Sequence, residues 1–397
     1  MTSRQRVLKA LDHEAPDRIP IDLGGSIVTG INAMAYRKLR RYLGFGDGPV
    51  RVSNIVLMLA EVEEDLRRRY RIDVIPLNRY EAAPGLPAAG GWKLHPLPDG
   101  HPALFPKKFA PLIGADGSWE LYERGRRTNL LAAGSGSFVP VHFPLRGAGL
   151  EELEAYELPP IGQEELDHLH EEARRLYEDT EYAVLGWFGG SIFEQAQFLC
   201  GWEDFLLRLA GEPEFASRLL ERLSRGVAAG LALYLQAVGD YVQVIGFGDD
   251  FGVQNGLQLS PSLFRALVKP RLQSIYSLVH ERSKAKVLLH SCGSVYELIE
   301  DLIDCGVDIL NPVQTAAARM EPERLKGEFG SRIVFWGGGA DNQRLLPQGS
   351  PEEVRRDVRS RLEVFGAGGG YVFAPIHNLQ ADVPPQNIAA MLEEAAS

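Results

Sequence analysis

Cysteine is scarce in this chain: 397 residues carry only Cys200, Cys292 and Cys305. Three irregularly spaced thiols cannot frame a disulfide scaffold, and they fit a reducing, cytoplasmic compartment. A basic excess is missing as well. With a net charge of −11 there is no surplus of Lys and Arg to neutralise phosphates, so no nucleic-acid partner is expected. An anionic substrate held by a local Arg cluster is still compatible with that balance. No stretch approaches about 20 apolar residues, so no membrane span is expected. The start, Met1-Thr2-Ser3-Arg4-Gln5-Arg6-Val7, lacks the apolar run of a signal peptide. No Gly-x-Gly-x-x-Gly opens a first helix, which argues against a dinucleotide-binding open sheet. Internal repeats and low-complexity tails are also absent.

What is present is a rhythm. Short apolar runs recur, most ending in Gly or a polar residue: Arg18 to Gly25, Ile72 to Asn78, Ala183 to Gly189, Val242 to Asp250, Lys286 to Gly293, Val307 to Gln314, Arg332 to Gly337 and Gly370 to Pro375. Helical patterns lie between them. Ser260-Pro261 opens one as N-cap and first-turn proline, carried to about His280. Ser350-Pro351-Glu352-Glu353 opens another, with Glu353 at the capping-box position. Val295 to Cys305 and Pro384 to Ala396 also read as helices. Strands alternating with helices of this length imply a parallel sheet, and eight units imply an α/β fold of the (β/α)8 TIM-barrel type. Residues 1–397 therefore read as one barrel domain. From about Gly85 to Leu145 the rhythm breaks into Gly- and Pro-rich sequence with short alternating pieces such as Ser118-Trp119-Glu120-Leu121-Tyr122. This reads as a small β-meander inserted between the second and third units, either a lid near the barrel mouth or a surface decoration.

In a barrel the carboxyl ends of the strands face one mouth, where chemistry collects. The polar residues there are Asp22, Asn78 with Arg79, Asp249 and Asp250, His290 and Cys292, Asn311 and Gln314, Asp341, and His377 with Asn378. Asp22, Asn78, Asn311, Gln314 and Asp341 are candidate substrate-binding groups; Asp249, Asp250 and His377 are candidate catalytic groups. Each has a plainer reading as a loop residue capping the next helix. The sharpest signal is Leu288-Leu289-His290-Ser291-Cys292-Gly293-Ser294. His290 and Cys292 are two residues apart at a strand end, so they project to the same side. Imidazole nitrogen and thiolate sulfur together suit zinc; the plainer reading is a hydrogen-bonded core histidine and a small apolar filler. With His377 from the eighth strand they make three ligands with room for an open position, the pattern of a catalytic zinc. Cys305, on a helix, and Cys200 read as packing residues.

The chain resembles the uroporphyrinogen decarboxylase superfamily over nearly its full length. The resemblance is carried by Gly186-Trp187-Phe188-Gly189 with Trp202-Glu203-Asp204-Phe205 and Glu212-Pro213-Glu214, and by Leu259-Ser260-Pro261 through Lys269-Pro270. It continues in Gly337-Gly338-Gly339-Ala340-Asp341 with Leu345-Leu346, and in Ala374-Pro375-Ile376-His377 through Val383-Pro384-Pro385-Gln386-Asn387. It implies a (β/α)8 barrel. The decarboxylase branch acts on the acetate arms of a tetrapyrrole without metal, and carries an Arg-Gln-Ala-Gly-Arg-Tyr type segment after the first strand. Here Asp22-Leu23-Gly24-Gly25-Ser26 stands in that place, and Arg4-Gln5-Arg6 precedes the strand. The cobalamin-dependent methyltransferase branch binds zinc through His-x-Cys on the fifth strand and a later Cys in the closing motif. His290 and Cys292 match; the later Cys is missing and His377 stands at about its position, while Asp249-Asp250 offers a carboxylate instead.

The resemblance thus implies a zinc-dependent methyltransferase moving a methyl group between a corrinoid (cobalamin) and a small acceptor. No corrinoid-binding segment is recognisable, so the corrinoid is expected on a separate partner protein. A cofactor-free decarboxylase of a tetrapyrrole or other acidic substrate is the alternative, and a non-catalytic ligand-binding barrel is a third.

Overall fold

The computed structural model describes residues 1–88 and 90–397. At its centre is a seven-stranded parallel sheet. In chain order its strands are Val74–Leu77, Ala183–Gly189, Val244–Gly248, Lys286–His290, Ile309–Asn311, Val334–Trp336 and Tyr371–Val372, each hydrogen-bonded to the next. These are the second to eighth of the apolar runs. The first run forms no strand of its own: it is reduced to a parallel bridge between Ile21 and Phe373. Pro20 lacks an N–H and Gly24-Gly25 turn the chain away, so little ladder is available there.

That one bridge nevertheless connects the two edges of the sheet. Asp22 N–H donates to the Phe373 carbonyl (2.8 Å) and Phe373 N–H to the Pro20 carbonyl (2.9 Å). On the other side Asp73 N–H donates to the Ile21 carbonyl (2.8 Å). The sheet thereby runs round into a TIM-like barrel. Alternation along each strand sorts its side chains into two cores. Val74, Leu185, Val244, Leu288, Ile309, Val334, Trp336 and Val372 fill the inside, joined by Val7 and Leu11 of the Ser3–Leu11 helix. Ile75, Val184, Ile245, Val287, Leu289, Leu310 and Phe335 face the surrounding helices.

The end of the barrel opposite the mouth is tied by a buried carboxylate. Asp73 is fully buried and receives Arg6 on one oxygen and Arg18 on the other, both at 2.7 Å. The Ile21 N–H also donates to it at 2.9 Å. One side chain therefore anchors the N-terminal helix, the first-run segment and the first strand of the sheet.

Helix ends follow their sequence signals. Ser350 and Glu353 form the capping box of Pro351–Gly366. Ser260 caps the start of its helix, but the helix does not run straight to His280. A π turn at Phe264–Val268 precedes Lys269–Arg282, because Pro270 has no N–H to give the carbonyl four residues back. No helix among the described residues is long and apolar enough to cross a membrane.

The chain between the Val74–Leu77 and Ala183–Gly189 strands contributes to two further sheets. Leu112–Ile113, Trp119–Glu123, Arg126–Leu131 and Val139–Pro140 make an antiparallel meander. Trp92–Pro96 and Pro102–Pro106 instead join Val50–Asn54 and Leu59–Ala60, with Val50–Asn54 parallel to Pro102–Pro106. The eight-run reading has no counterpart for Val50–Asn54, whose partner is some 50 residues distant. Phe105 and Phe109 stack at 4.5 Å between centroids beside Trp119, and all three belong to the larger of the two cores.

Removing the Asp73 carboxylate leaves two arginines, one of them buried, without their shared partner. Asp73→Ala is therefore expected to destabilise the fold by about 3–5 kcal/mol. Urea denaturation checks this; a loss below about 1 kcal/mol would show that the anchor is dispensable.

Candidate active site at the barrel mouth

His290 ends its strand two residues after inward-facing Leu288, so the pleat aims it into the barrel. Its Nδ1 lies 2.5 Å from Asn311 Oδ1. Asn311 is fully buried and donates its amide to the Trp336 carbonyl at 2.8 Å, which fixes Oδ1 as the side facing the histidine. The proton of a neutral His290 therefore sits on Nδ1, leaving the Nε2 lone pair free. Nε2 points at Cys292 Sγ, 3.2 Å away.

The turn that carries Cys292 is held from three sides. Asp250 accepts the Cys292 N–H (2.7 Å), Gln314 accepts the Gly293 N–H (2.8 Å), and Ser291 Oγ accepts the Phe251 N–H (2.9 Å). Gly293 has φ +80°, and a Cβ there would meet the Gly252 carbonyl carbon at 2.5 Å. Only glycine lets these two backbones touch.

His377 arrives from the chain after the last strand. Its ring centroid lies 5.2 Å from that of His290. One ligand atom from each of His290, Cys292 and His377 lies within 4.8 Å of the others. His377 Nδ1 accepts the Asn378 N–H (2.8 Å), while the Asn378 side chain bonds Gly30 N–H and the Ile27 carbonyl. The ring takes a cation through Nδ1 in place of that bond, or through Nε2 by giving it up. Burial, reinforced by His290, lowers the His377 pKa to about 3, so the ring is neutral at physiological pH. Burial, then the charge of Asp250, holds the Cys292 thiol well above its ordinary range. A thiol in that position gives up its proton when a cation compensates the charge.

His290 and His377, though not Cys292, sit in the wall of a cavity of about 890 Å³ that is also lined by Trp187, Phe188, Phe198, Glu194 and Asp250, among others. Trp187 has room because Gly246 and Gly248 of the next strand carry no side chain against its indole. Glu194 escapes a reading of strand ends, since it lies in the first turn of the Phe193–Cys200 helix. Its only sequence signal is an acid just past the Gly189-Gly190-Ser191 turn. Burial, then Asp250 and Asp249, raises its carboxyl to about 8.

The other mouth residues divide by what they touch. Asp250 lines the cavity. Asp249 does not: its carboxylate accepts the N–H groups of Ile192, Phe193 and Glu194 at 3.0, 3.1 and 2.6 Å. It caps, from a neighbouring strand, a helix with no side-chain cap of its own. Burial raises Asp249 to about 7 against the pull of those donors. Asn311 and Gln314 turn to His290 and Gly293 as described, which makes them positioning residues. Gln314 also bonds Gln254. Asp22 is fully buried and bonded to Gly25 N–H and Trp336 Nε1, both at 2.8 Å; burial raises it to about 6. Asn78 lines two smaller adjoining pockets rather than the main cavity. Asp341 accepts the N–H groups of Gln343 and Arg344 and shapes its own turn. Cys200 and Cys305 are buried free thiols, each raised to about 12 chiefly by burial.

The uroporphyrinogen decarboxylase (URO-D) family model matches residues 135–397, and the chain belongs to that family. It is 27% identical over 183 residues to a uroporphyrinogen decarboxylase of Methylococcus capsulatus, covering 46% of this chain and 48% of that protein. It is 28% identical over 134 residues to the methylcobamide:CoM methyltransferase MtaA of Methanosarcina barkeri, covering 34% and 36%. The chain thus spans about half or less of these curated relatives. In three dimensions it is similar to a methyltransferase from Methanosarcina mazei, with TM-score 0.62 and 17% identity over 100% of this chain and 98% of that one. The family holds both methyltransferases and decarboxylases.

The unfolded chain protonates His377 near pH 6.5, whereas the folded chain refuses that proton down to about pH 3. Stability from this residue is present above pH 6.5 and is lost as the pH falls below it. Metal-free protein should lose roughly 2 kcal/mol between pH 7 and pH 5 that His377→Gln does not lose. Urea denaturation at both pH values measures the difference, and parallel losses in the two proteins would refute it.

Proposed function

We propose that this protein is a zinc-dependent methyltransferase that moves a methyl group between a corrinoid carried by a partner protein and a small acceptor. The observation that carries the reading is the His290, Cys292 and His377 trio, with ligand atoms within 4.8 Å of one another beside the large cavity. Two imidazoles and one thiolate are a donor set that suits zinc. Bound there, zinc supplies a Lewis acid that holds an acceptor thiol, or a similar weak acid, as its anion.

The chain's own residues do the rest. Asn311 keeps His290 in the tautomer that offers Nε2. Asp250 and Gln314 hold the Cys292–Gly293 turn in register with it. Asp249 fixes the helix start that brings Glu194 to the cavity. Glu194, protonated at neutral pH, gives or takes a proton at its carboxyl oxygens, with Asp250 beside it. Trp187, Phe188 and Phe198 keep water from the reacting groups.

Charge argues against decarboxylation of a polycarboxylate. Such a substrate needs cations, and Arg79 is the one Lys or Arg among the described residues lining the main cavity. It is already bonded to Glu165 at 2.8 Å. Residues 1–397 are read as one (β/α)8 barrel domain with the Ile21 segment as its reduced first strand and 85–145 inserted near the mouth. Three free thiols favour a reducing, cytoplasmic setting.

Cys292→Ala should bring zinc well below stoichiometric and abolish demethylation of methylcobalamin, with circular dichroism unchanged. On the decarboxylase reading Cys292→Ala is nearly silent while His377→Ala and Asp22→Ala weaken turnover. Wild-type protein that holds no zinc and leaves methylcobalamin untouched across thiol and folate acceptors would refute the proposal.

Asn311 yields a separate expectation. Asn311→Ala frees the His290 ring without removing a ligand, and should weaken zinc affinity about 10–100-fold. Competition with a chromophoric chelator measures this; unchanged affinity would mean that Asn311 does not orient the ligand.

A further inference from the structure

We propose, building on the methyl-transfer reading of this site, that its small-molecule substrate is a hydrophobic cation: a bulky hydrocarbon or aromatic body with an ammonium-type head. Size and wall chemistry give the body. A cavity of about 890 Å³ is far larger than a short thiol or a methyl group needs, and lies at the upper end for drug-sized ligands. One wall is the Pro213–Val238 helix, which presents Gly226 and Gly230 to the cavity. A glycine inside a helix is destabilising relative to alanine. A Cβ at Gly226 would meet Leu158 Cδ1 at 2.9 Å, and one at Gly230 would meet Ile161 Cδ1 at 3.4 Å. The two glycines thus let Leu158 and Ile161, both of which line the cavity, pack close against the helix.

The charges give the head. Glu194 and Asp250 line the cavity beside the ligand trio, and Arg79 is paired through its Nε with Glu165. An anionic head entering there would meet two half-buried carboxyl groups, whereas a cation draws the proton off Glu194 and is held by both. The faces of Trp187, Phe188 and Phe198 add attraction for a cation and none for an anion.

Three matched probes test this: 4-phenylbutyltrimethylammonium, 4-phenylbutanol and 4-phenylbutyrate, titrated calorimetrically into the protein as purified and after chelator treatment. The quaternary ammonium should bind at least tenfold tighter than the carboxylate in both states, with the alcohol between. Glu194→Gln should cut that cation-to-anion ratio at least threefold. Gly230→Leu should weaken all three probes at least threefold while leaving the ratio in place. A carboxylate that binds as tightly as the cation, a ratio unmoved by Glu194→Gln, or no binding of any probe at millimolar concentration would overturn the inference. The readout is binding rather than turnover, so the two proposals fail separately. A protein that moves methyl groups yet prefers the carboxylate overturns only the substrate class. One that prefers the cation yet leaves methylcobalamin untouched overturns only the reaction.

Discussion

The structure depends on the closure of one sheet through one residue. Ile21 is the point where the last strand and the first are joined, and the Asp73 carboxylate holds that point by bonding its backbone and two arginines. Burying a carboxylate is costly unless its oxygens are filled. Here they are filled by groups from the N-terminal helix and the first-run segment, so the charge is satisfied only when these elements meet. The consequence is felt at the other end of the barrel. His290 and His377 come from strands three places apart in the sheet. A flat sheet would separate them by about 14 Å at an ordinary strand spacing; the curved one brings their rings to 5.2 Å.

Around that junction the site is built by backbone contacts more than by charge pairing. Asp249, Asp250 and Gln314 each spend side-chain acceptors on N–H groups of a neighbouring loop. This locks the Cys292 turn and the start of the Phe193–Cys200 helix to adjacent strands. The polar residues at the strand ends are thus of two kinds. Some face the cavity; others give the first kind a fixed position. In a reaction that needs a ligand atom placed to a fraction of an ångström, the second kind matters as much.

Where a resemblance to the decarboxylase branch would lead one to look for arginines, the turn after the first run is Gly24-Gly25-Ser26, and the main cavity's wall is aromatic and acidic. The four-stranded meander stands near its rim, since Phe138 N–H bonds the carbonyl of Val56, itself in the cavity wall. The fold is shared across a family that holds two chemistries.

Read alone, the sequence determined the seven central strands, the capping box at Ser350 and the pairing of His290 with Cys292. Each is a local matter: alternation, a cap three residues from its partner, or two residues on one side of a strand. His377 was legible as a third group because a barrel gathers all its strand ends at one mouth. Tertiary structure alone decided the rest. It shrank the first run to a bridge, paired Val50–Asn54 with Pro102–Pro106, brought Glu194 into the cavity and turned Asp249 into a helix cap. It also set Asn311 behind His290 rather than before the substrate. Those outcomes depend on which distant N–H, carbonyl or carboxyl lies within about 3 Å once the sheet closes. No spacing along the chain encodes that distance; the barrel's curvature sets it.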